Sequence, residues 1–356
     1  MTKNLIIPVA GQSARYPGMR PKWLLTMPDG KLMIEKSVAL FDLKKFDRII
    51  IIALTQHVKK FSSRKILLKL FRNNISKKVE LIELNKETSS QAETVLKGIL
   101  KAKLIGGIFI KDVDNIFSQK ITSKPLNQIS TINSKKIDLL DAKSKSYIDF
   151  DKMGKVINIV EKKVISDYFC CGAYEFESAN EFIKYSRKCL KKSKNIFISD
   201  VIFSMILDNN YFAYIQAESY IDWGTLREFR NFQNKFYTLF CDFDGCLVEN
   251  GSKFSKNPYR TKPIIENLTC LSKLQKIVNI ELIITTSRPK SESIYISKIL
   301  KKFKIQYNSI ITDLMHSKRI LINDFAVSNT YPSSMAINIP RNGKGLSLIL
   351  ESVLNK

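Results

Sequence analysis

An apolar stretch of strand length that runs straight into a loop of small and polar residues occurs twice in this chain of 356 residues. Residues 4–9 pass into Ala10-Gly11-Gln12-Ser13-Ala-Arg15-Tyr-Pro-Gly-Met-Arg-Pro-Lys22, and Thr238-Leu-Phe-Cys-Asp242 passes into Phe-Asp244-Gly245-Cys246. In the first loop, backbone N–H groups can face a ligand, Gly11 lets the chain approach it closely, and Arg15 and Lys22 add charge. That combination suits phosphate. The second loop receives two carboxylates two residues apart, which strand periodicity places on one face. One can attack phosphorus while its neighbour handles a proton. Each loop also has a plain alternative, a strand-to-helix turn for the first and a calcium loop or surface turn for the second.

The pattern around both loops is α/β. Strands are expected at 4–9, Arg48–Leu54, 79–84 and Gly107–Lys111, alternating with helices at 33–41, 59–73 and Gln91–Ala102. This alternation predicts a mostly parallel sheet with helices on both faces. Between about 129 and 160 the pattern turns to short strands, with Asp151-Lys-Met-Gly154 as a hairpin turn. Helices return at 179–188 and 199–209, the latter with a Ser199-Asp200 cap signal. A new strand at 238–242 and a new helix at 263–276 open a second unit, so two domains are expected, 1–235 and 236–356.

Composition narrows the function classes. The net charge of +25 raises nucleic-acid binding, but the lysines are spread along the whole chain and no DNA or RNA recognition motif occurs. The charge is expected to solvate surfaces and to attract anionic small molecules. Six cysteines without a Cys-x-x-Cys pair, and two histidines, argue against a zinc site or a disulfide framework. No apolar run approaches the roughly 18 residues of a membrane span. No apolar signal segment precedes the first strand, so a cytoplasmic protein is expected. A homo-oligomer is left open.

The first loop resembles the signature of nucleotidyltransferases that join a sugar phosphate or alcohol phosphate to an NTP, with Gly11, Ser13, Arg15, Pro21 and Lys22 in its pattern. The resemblance continues over roughly residues 3–230, with 118–150 poorly matched. Asp112-Val-Asp114 resembles the metal-binding acidic motif, and Val156-Ile-Asn-Ile-Val-Glu161-Lys162 the strand that meets the sugar phosphate. Cys171-Gly172-Ala-Tyr174 resembles a sugar-pocket segment, and Tyr220-Ile-Asp222-Trp-Gly224 the segment that returns an acid to the metal. The resemblance implies NTP contacts from Ala10, Gly11, Gln12, Ser13, Arg15, Lys22, Ser90 and Gln91, and substrate contacts from Glu161, Lys162, Gly172 and Tyr174. It implies Mg²⁺ held by Asp112, Asp114 and Asp222. Thr88-Ser-Ser90-Gln91 stands at the base-reading position without the family's glycine, which leaves the base open. Singly, Asp112, Asp114 and Asp222 could be capping residues, and Glu161 and Lys162 a surface ion pair.

The second loop resembles the opening motif of the haloacid dehalogenase-like phosphohydrolases, Asp-x-Asp-Gly-Thr. Thr285-Thr286-Ser-Arg-Pro289 is similar to the second motif, Lys318 stands before an expected strand at 319–322, and Asn323-Asp324 closes it. The resemblance implies Asp242 as nucleophile and Asp244 as general acid/base. Thr286 would hold the phosphoryl group, with Thr285 as alternative, Lys318 would neutralise it, and Mg²⁺ would be held by Asp242, Asp244 and Asp324. Cys246 replaces the usual Thr, and Asn323 stands where many members carry Asp. The motif spacing leaves no room for a cap domain.

The expected architecture is a Rossmann-like, GT-A-like nucleotidyltransferase mixed sheet followed by a small capless hydrolase-like α/β domain. The expected activity is bifunctional: nucleotidyl transfer, preferably from CTP, to a phosphorylated sugar or polyol, and a Mg²⁺-dependent phosphatase, in surface-polysaccharide (capsule) precursor synthesis. The alternative is a transferase with a catalytically silent second domain.

Overall fold

The computed structural model describes residues 2–72, 78–137, 141–324 and 334–354. They form two compact units, Met1–Phe229 and Arg230–Lys356. Among the described residues no helix is long and apolar enough to cross a membrane.

The first unit is a mixed α/β structure. Its parallel strands are β1 (Lys3–Val9), β2 (Arg48–Leu54), β3 (Lys78–Leu84) and β4 (Gly107–Lys111). After β5 (Asn115–Ser118) come β6 (Gln128–Asn133), β7 (Ser146–Phe150), β8 (Val156–Glu161) and β9 (Tyr168–Phe176), then β10 (Ala213–Gln216) and β11 (Ser219–Asp222). The main sheet runs β10-β6-β9-β4-β1-β2-β3. Here β9 is antiparallel to both its neighbours, β7 pairs with β8 and β9, and β5 and β11 make a separate antiparallel pair. The helices are α1 (Met33–Ser37), α2 (Thr55–Lys60), α3 (Arg64–Arg72), α4 (Gln91–Ala102), α5 (Ala179–Leu190), α6 (Ile198–Leu207) and α7 (Leu226–Gln233).

The near-continuous apolar runs of β1, β2 and β4 are what a strand covered on both faces requires. Ile6, Ile50, Ile52 and Ile108 pack against Val95, Leu96 and Ile99 of α4 and Val201 and Ile202 of α6. Leu5, Ile7, Ile49 and Ile51 turn to the other face, against Ile34, Val58, Leu67 and Phe71. Each such side chain, fully buried, contributes roughly 1.5–3 kcal/mol. The rigid sheet therefore fixes the C-terminal ends of β1 and β4, where the candidate site lies.

Two local expectations change and a third holds. The single helix over 59–73 is two, broken at 61–63 where Ser62 takes φ 47°; residue 73 lies outside the described residues. The helix expected from Ser199 starts at Ile198: Phe197 is the N-cap, and Asp200 accepts its backbone N–H at 2.7 Å. The hairpin at 151–154 forms, with Asp151 accepting from Met153 and Lys155 and Gly154 at φ 80°.

The second unit has the parallel sheet β12 (Phe236–Asp242), β13 (Asn279–Thr285) and β14 (Ser309–Ile311), in that order. Its helices are α8 (Ile265–Ile277), α9 (Ser293–Lys302) and α10 (Leu346–Leu354). Leu268, Leu271, Leu282, Ile284, Ile296 and Leu300 form its core. The strand expected at 319–322 is absent: Ile320, Leu321 and Ile322 are 78%, 58% and 90% exposed, and the third strand is Ser309–Ile311 instead. So short an apolar run forms a strand only where a ladder partner meets it, and here none does among the described residues.

Candidate functional site

At the end of β1 the loop folds back on itself. Ser13 adopts φ 57°, its carbonyl accepts from Tyr16 N–H at 2.8 Å, and its hydroxyl accepts from Lys22 N–H at 3.0 Å. This brings Arg15 and Lys22, seven residues apart in the chain, to one carboxylate: Asp114 Oδ2 lies 2.5 Å from Lys22 Nζ and 3.4 Å from Arg15 Nη2. A cavity of about 410 Å³ opens beside them. Ala10, Gly11, Ser13, Arg15, Lys22, Ser90, Gln91, Asp112 and Asp114 all line it, whereas Gln12 does not. A side chain on Gly11 would meet only open space there. Ser90 caps α4, accepting from Glu93 N–H at 3.2 Å, so the positive end of that helix faces the cavity.

The carboxylates stand in unequal environments. Burial raises the Asp112 carboxyl, with the charge of Asp114 adding to it, to about 6; Lys111 and a hydrogen bond from Gln91 Nε2 oppose the rise. Burial would raise Asp114 too, but Lys22 first, then Arg15 and Lys145, hold it below the usual carboxylate range. Beneath them the fully buried Lys111 ammonium donates to Asp112 O at 2.6 Å and to Asn115 O and Oδ1 at 3.1 and 2.6 Å. Burial lowers its pKa to about 8 against the pull of Asp112 and Asp114.

Asp222 arrives from β11, directly opposite Asn115 of β5. Its Oδ1 accepts from Gly224 N–H at 2.9 Å, and its Oδ2 is paired with Lys145 Nζ. Trp223 N–H donates to Asp114 O at 2.7 Å, and Tyr16 donates its hydroxyl to Trp223 O, so this turn is tied to the first loop. Gly172 closes the arrangement: its φ is 80°, and Asp112 N–H donates to its carbonyl at 2.8 Å. A Cβ there would lie 2.6 Å from both Asp112 Oδ2 and Asn115 Nδ2, so the two side chains converge on its bare α-carbon.

The remaining predicted residues sit beside this centre. Glu161 accepts from the hydroxyls of Ser146 and Ser199, the latter at 2.9 Å, and buried Tyr174 shares a hydrogen bond with Ser146. Lys162 is exposed, with φ 56°, and its Nζ lies 4.5 Å from the centre of the Phe197 ring. Lys145, Lys111 and Tyr16 were not anticipated. Tyr16 and Lys145 meet partners distant in sequence, whereas Lys111 meets Asp112 and Asn115, one and four residues further on; in a lysine-rich chain nothing local marks either lysine.

Among the described residues no three His, Cys, Asp or Glu side chains converge on one point. Mg²⁺ takes few protein ligands and completes its shell with water and phosphate oxygens, so it needs no such cage. The carboxylates of Asp112, which with Asn115 meets Gly172, and of Asp222, paired with Asn115 across the β5–β11 ladder, are hard oxygen donors of the right chemistry.

In the second unit Asp242 ends β12 opposite Thr285. Partial burial raises its carboxyl and Asp244 adds to this, against Arg319 and His316. Asp244 is held from both sides: Thr286 Oγ1 donates to Oδ2 at 2.8 Å, and Arg288 Nε and Nη2 donate to Oδ1 at 2.9 and 2.7 Å. Arg288 is 1% exposed, donates to Tyr259 O at 2.6 Å, and lies 5.0 Å from the Phe243 ring centre. Lys318 and Asp324 are exposed, in a segment without regular structure. Arg288 was legible as part of the second motif, but its grip on Asp244 was not.

No family model matches the chain, and no curated protein matches it. Solved structures do. A nucleoside-diphosphate-sugar pyrophosphorylase from Vibrio cholerae RC9 superposes with a TM-score of 0.55 at 21% identity, over 64% of this chain and 99% of its own. A UDP-glucose pyrophosphorylase complexed with UDP-glucose gives 0.52 at 16% identity, over 66% and 98%. The first unit has the fold of these nucleotidyltransferases. At such identities the likeness establishes the fold, and the chemistry rests on the residues above.

Proposed function

We propose that the first unit transfers a nucleotidyl group from an NTP to a phosphorylated sugar or polyol. The observation that carries this reading is the convergence of Arg15 and Lys22 on Asp114, in a cavity bordered by Asp112 at the end of β4. An oxygen of the acceptor phosphate attacks the α-phosphorus in line, the bond to the bridging oxygen breaks, and pyrophosphate leaves. Arg15 and Lys22 stabilise the charge on the transferring and leaving phosphates, and the work is positioning and electrostatics. Asp112 and Asp222 hold Mg²⁺, which supplies charge neutralisation when bound. CTP is the preferred donor, on resemblance to capsule and teichoic-type cytidylyltransferases, and surface-polysaccharide precursor synthesis is the setting.

For the second unit the first reading is a Mg²⁺-dependent phosphatase. Asp242 attacks phosphorus to give an aspartyl phosphate as the bond from phosphorus to the substrate's leaving oxygen breaks and Asp244 gives that oxygen a proton; water, giving its proton back to Asp244, then attacks the aspartyl phosphate, and inorganic phosphate leaves with Asp242 restored. One observation favours the silent alternative: both Asp244 oxygens are already taken, by Thr286 and by the buried Arg288. The test of both is an assay of four NTPs against a panel of sugar and polyol phosphates, with pyrophosphate and phosphate read separately. Pyrophosphate from no combination refutes the transferase reading. Phosphate release that persists in Asp242→Asn refutes the phosphatase reading.

A further inference from the structure

A reaction between two phosphates needs two places for anions, and around Asp114 and Asp222 stand two groups of cation and carboxylate of similar build. One is Arg15 and Lys22 on Asp114. The other is Lys145 on Asp222, with side chains 13% and 9% exposed. The two pairs adjoin: a Cβ built on Gly224 would lie 3.1 Å from Asp222 Oδ1 and 3.3 Å from Arg15 Nη1, and the charge of Lys145 is felt at Asp114.

Resting on the transferase reading, we propose that Lys145, not Lys162, is the ammonium that receives the phosphate of the acceptor. Its position follows from β-pairing. Ser146 faces Glu161 across the β7–β8 ladder, and Lys162 N–H donates to Lys145 O at 2.9 Å, so the two lysines stand side by side just beyond the paired ends of β7 and β8. Their ammonium groups then part. Lys145 Nζ donates to Asp222 and, at 3.0 Å, to the Tyr220 hydroxyl. An ammonium has three donors, and among the described residues the third has no partner. A partly desolvated charge, already oriented, with one N–H to spare, interacts more strongly with a phosphate than a solvated one does. Lys162 has neither advantage, since it is exposed and rests on the face of Phe197.

The competing explanation is that Lys145 only neutralises Asp222. Two measurements on the full chain, both in EDTA with inorganic phosphate as probe, separate the two. In the first, lysines are acetylated with and without phosphate, and the rate at each is read by peptide mass spectrometry. Phosphate is expected to slow Lys145 by about fivefold or more while leaving Lys162 unchanged, as binding by a charge-assisted hydrogen bond requires. Protection of Lys162 but not Lys145 overturns the assignment. Protection of neither, with Lys22 still protected, overturns it too, and protection of none of the three overturns the transferase reading beneath it.

In the second, phosphate affinity is measured by calorimetry for Asp222→Asn alone and combined with Lys145→Met, a pair that leaves no buried charge uncompensated. The double variant is expected to lose a phosphate site, or to bind at that site about tenfold more weakly, relative to Asp222→Asn. Equal binding by the two overturns the proposal, because a mere counter-ion is dispensable once Asp222 is neutral.

Discussion

Replacing Gly172 by alanine tests whether Asp112 is held where the geometry requires. The added Cβ would lie 2.6 Å from Asp112 Oδ2 and Asn115 Nδ2, and 3.0 Å from Asp112 Cβ, so the acid itself must move. The left-handed backbone, φ 80°, costs an alanine about 1–2 kcal/mol, and overpacking adds about 1–3 kcal/mol, for a total of about 2–5 kcal/mol. Gly154 provides the control. It has the same φ of 80°, but its Cβ would meet nothing nearer than Tyr214 at 3.7 Å, so Gly154→Ala should cost only the backbone part, about 1–2 kcal/mol. The chain's two tryptophans, Trp23 and Trp223, both belong to the first unit, so tryptophan fluorescence during urea unfolding reports that unit alone. Gly172→Ala should show the larger fall in midpoint and lose pyrophosphate release; Gly154→Ala should keep it. Equal midpoints for the two variants, with Gly172→Ala still active, would refute the account of the acid centre.

Other outcomes follow from the same contacts. Arg288→Met strands the Asp244 carboxylate and should destabilise the second unit by about 3–5 kcal/mol, with much of that recovered when Asp244→Asn is added; differential scanning calorimetry measures both. Asp112 must be ionised to hold Mg²⁺, and burial together with Asp114 raises its carboxyl to about 6. Mg²⁺ affinity should therefore fall up to about tenfold per pH unit below that value and level off above it, as titration calorimetry near pH 5 and pH 7 can show. Asp242→Asn should abolish any phosphate release while leaving pyrophosphate release intact, which separate colorimetric readings of the two products would establish.

The parallel half of the first sheet is readable in the sequence because Arg48–Leu54 and Gly107–Lys111 are apolar runs that stand out against polar flanks. The same logic fails at Ile320-Leu-Ile322, where the run is apolar but finds no ladder among the described residues, since pairing is a property of the neighbour as much as of the strand. At the site, Arg15, Lys22, Asp112 and Asp114 lie within two short segments whose order is itself a signal. Lys145 and Asp222 are 77 residues apart, and Arg288 and Asp244 are 44 apart. Only the fold makes them partners. Lys162 shows the converse: its motif is plain, yet just past the end of β8 its ammonium rests on the ring of Phe197.

The most direct test of the central claim is pyrophosphate release from an NTP in the presence of a phosphorylated sugar or polyol, compared among the wild type, Lys22→Ala and Asp112→Ala. The account predicts release that requires both substrates in the wild type and falls by at least about a hundredfold in each variant, as loss of a charge at the transition state entails. Wild-type release from both variants would contradict it.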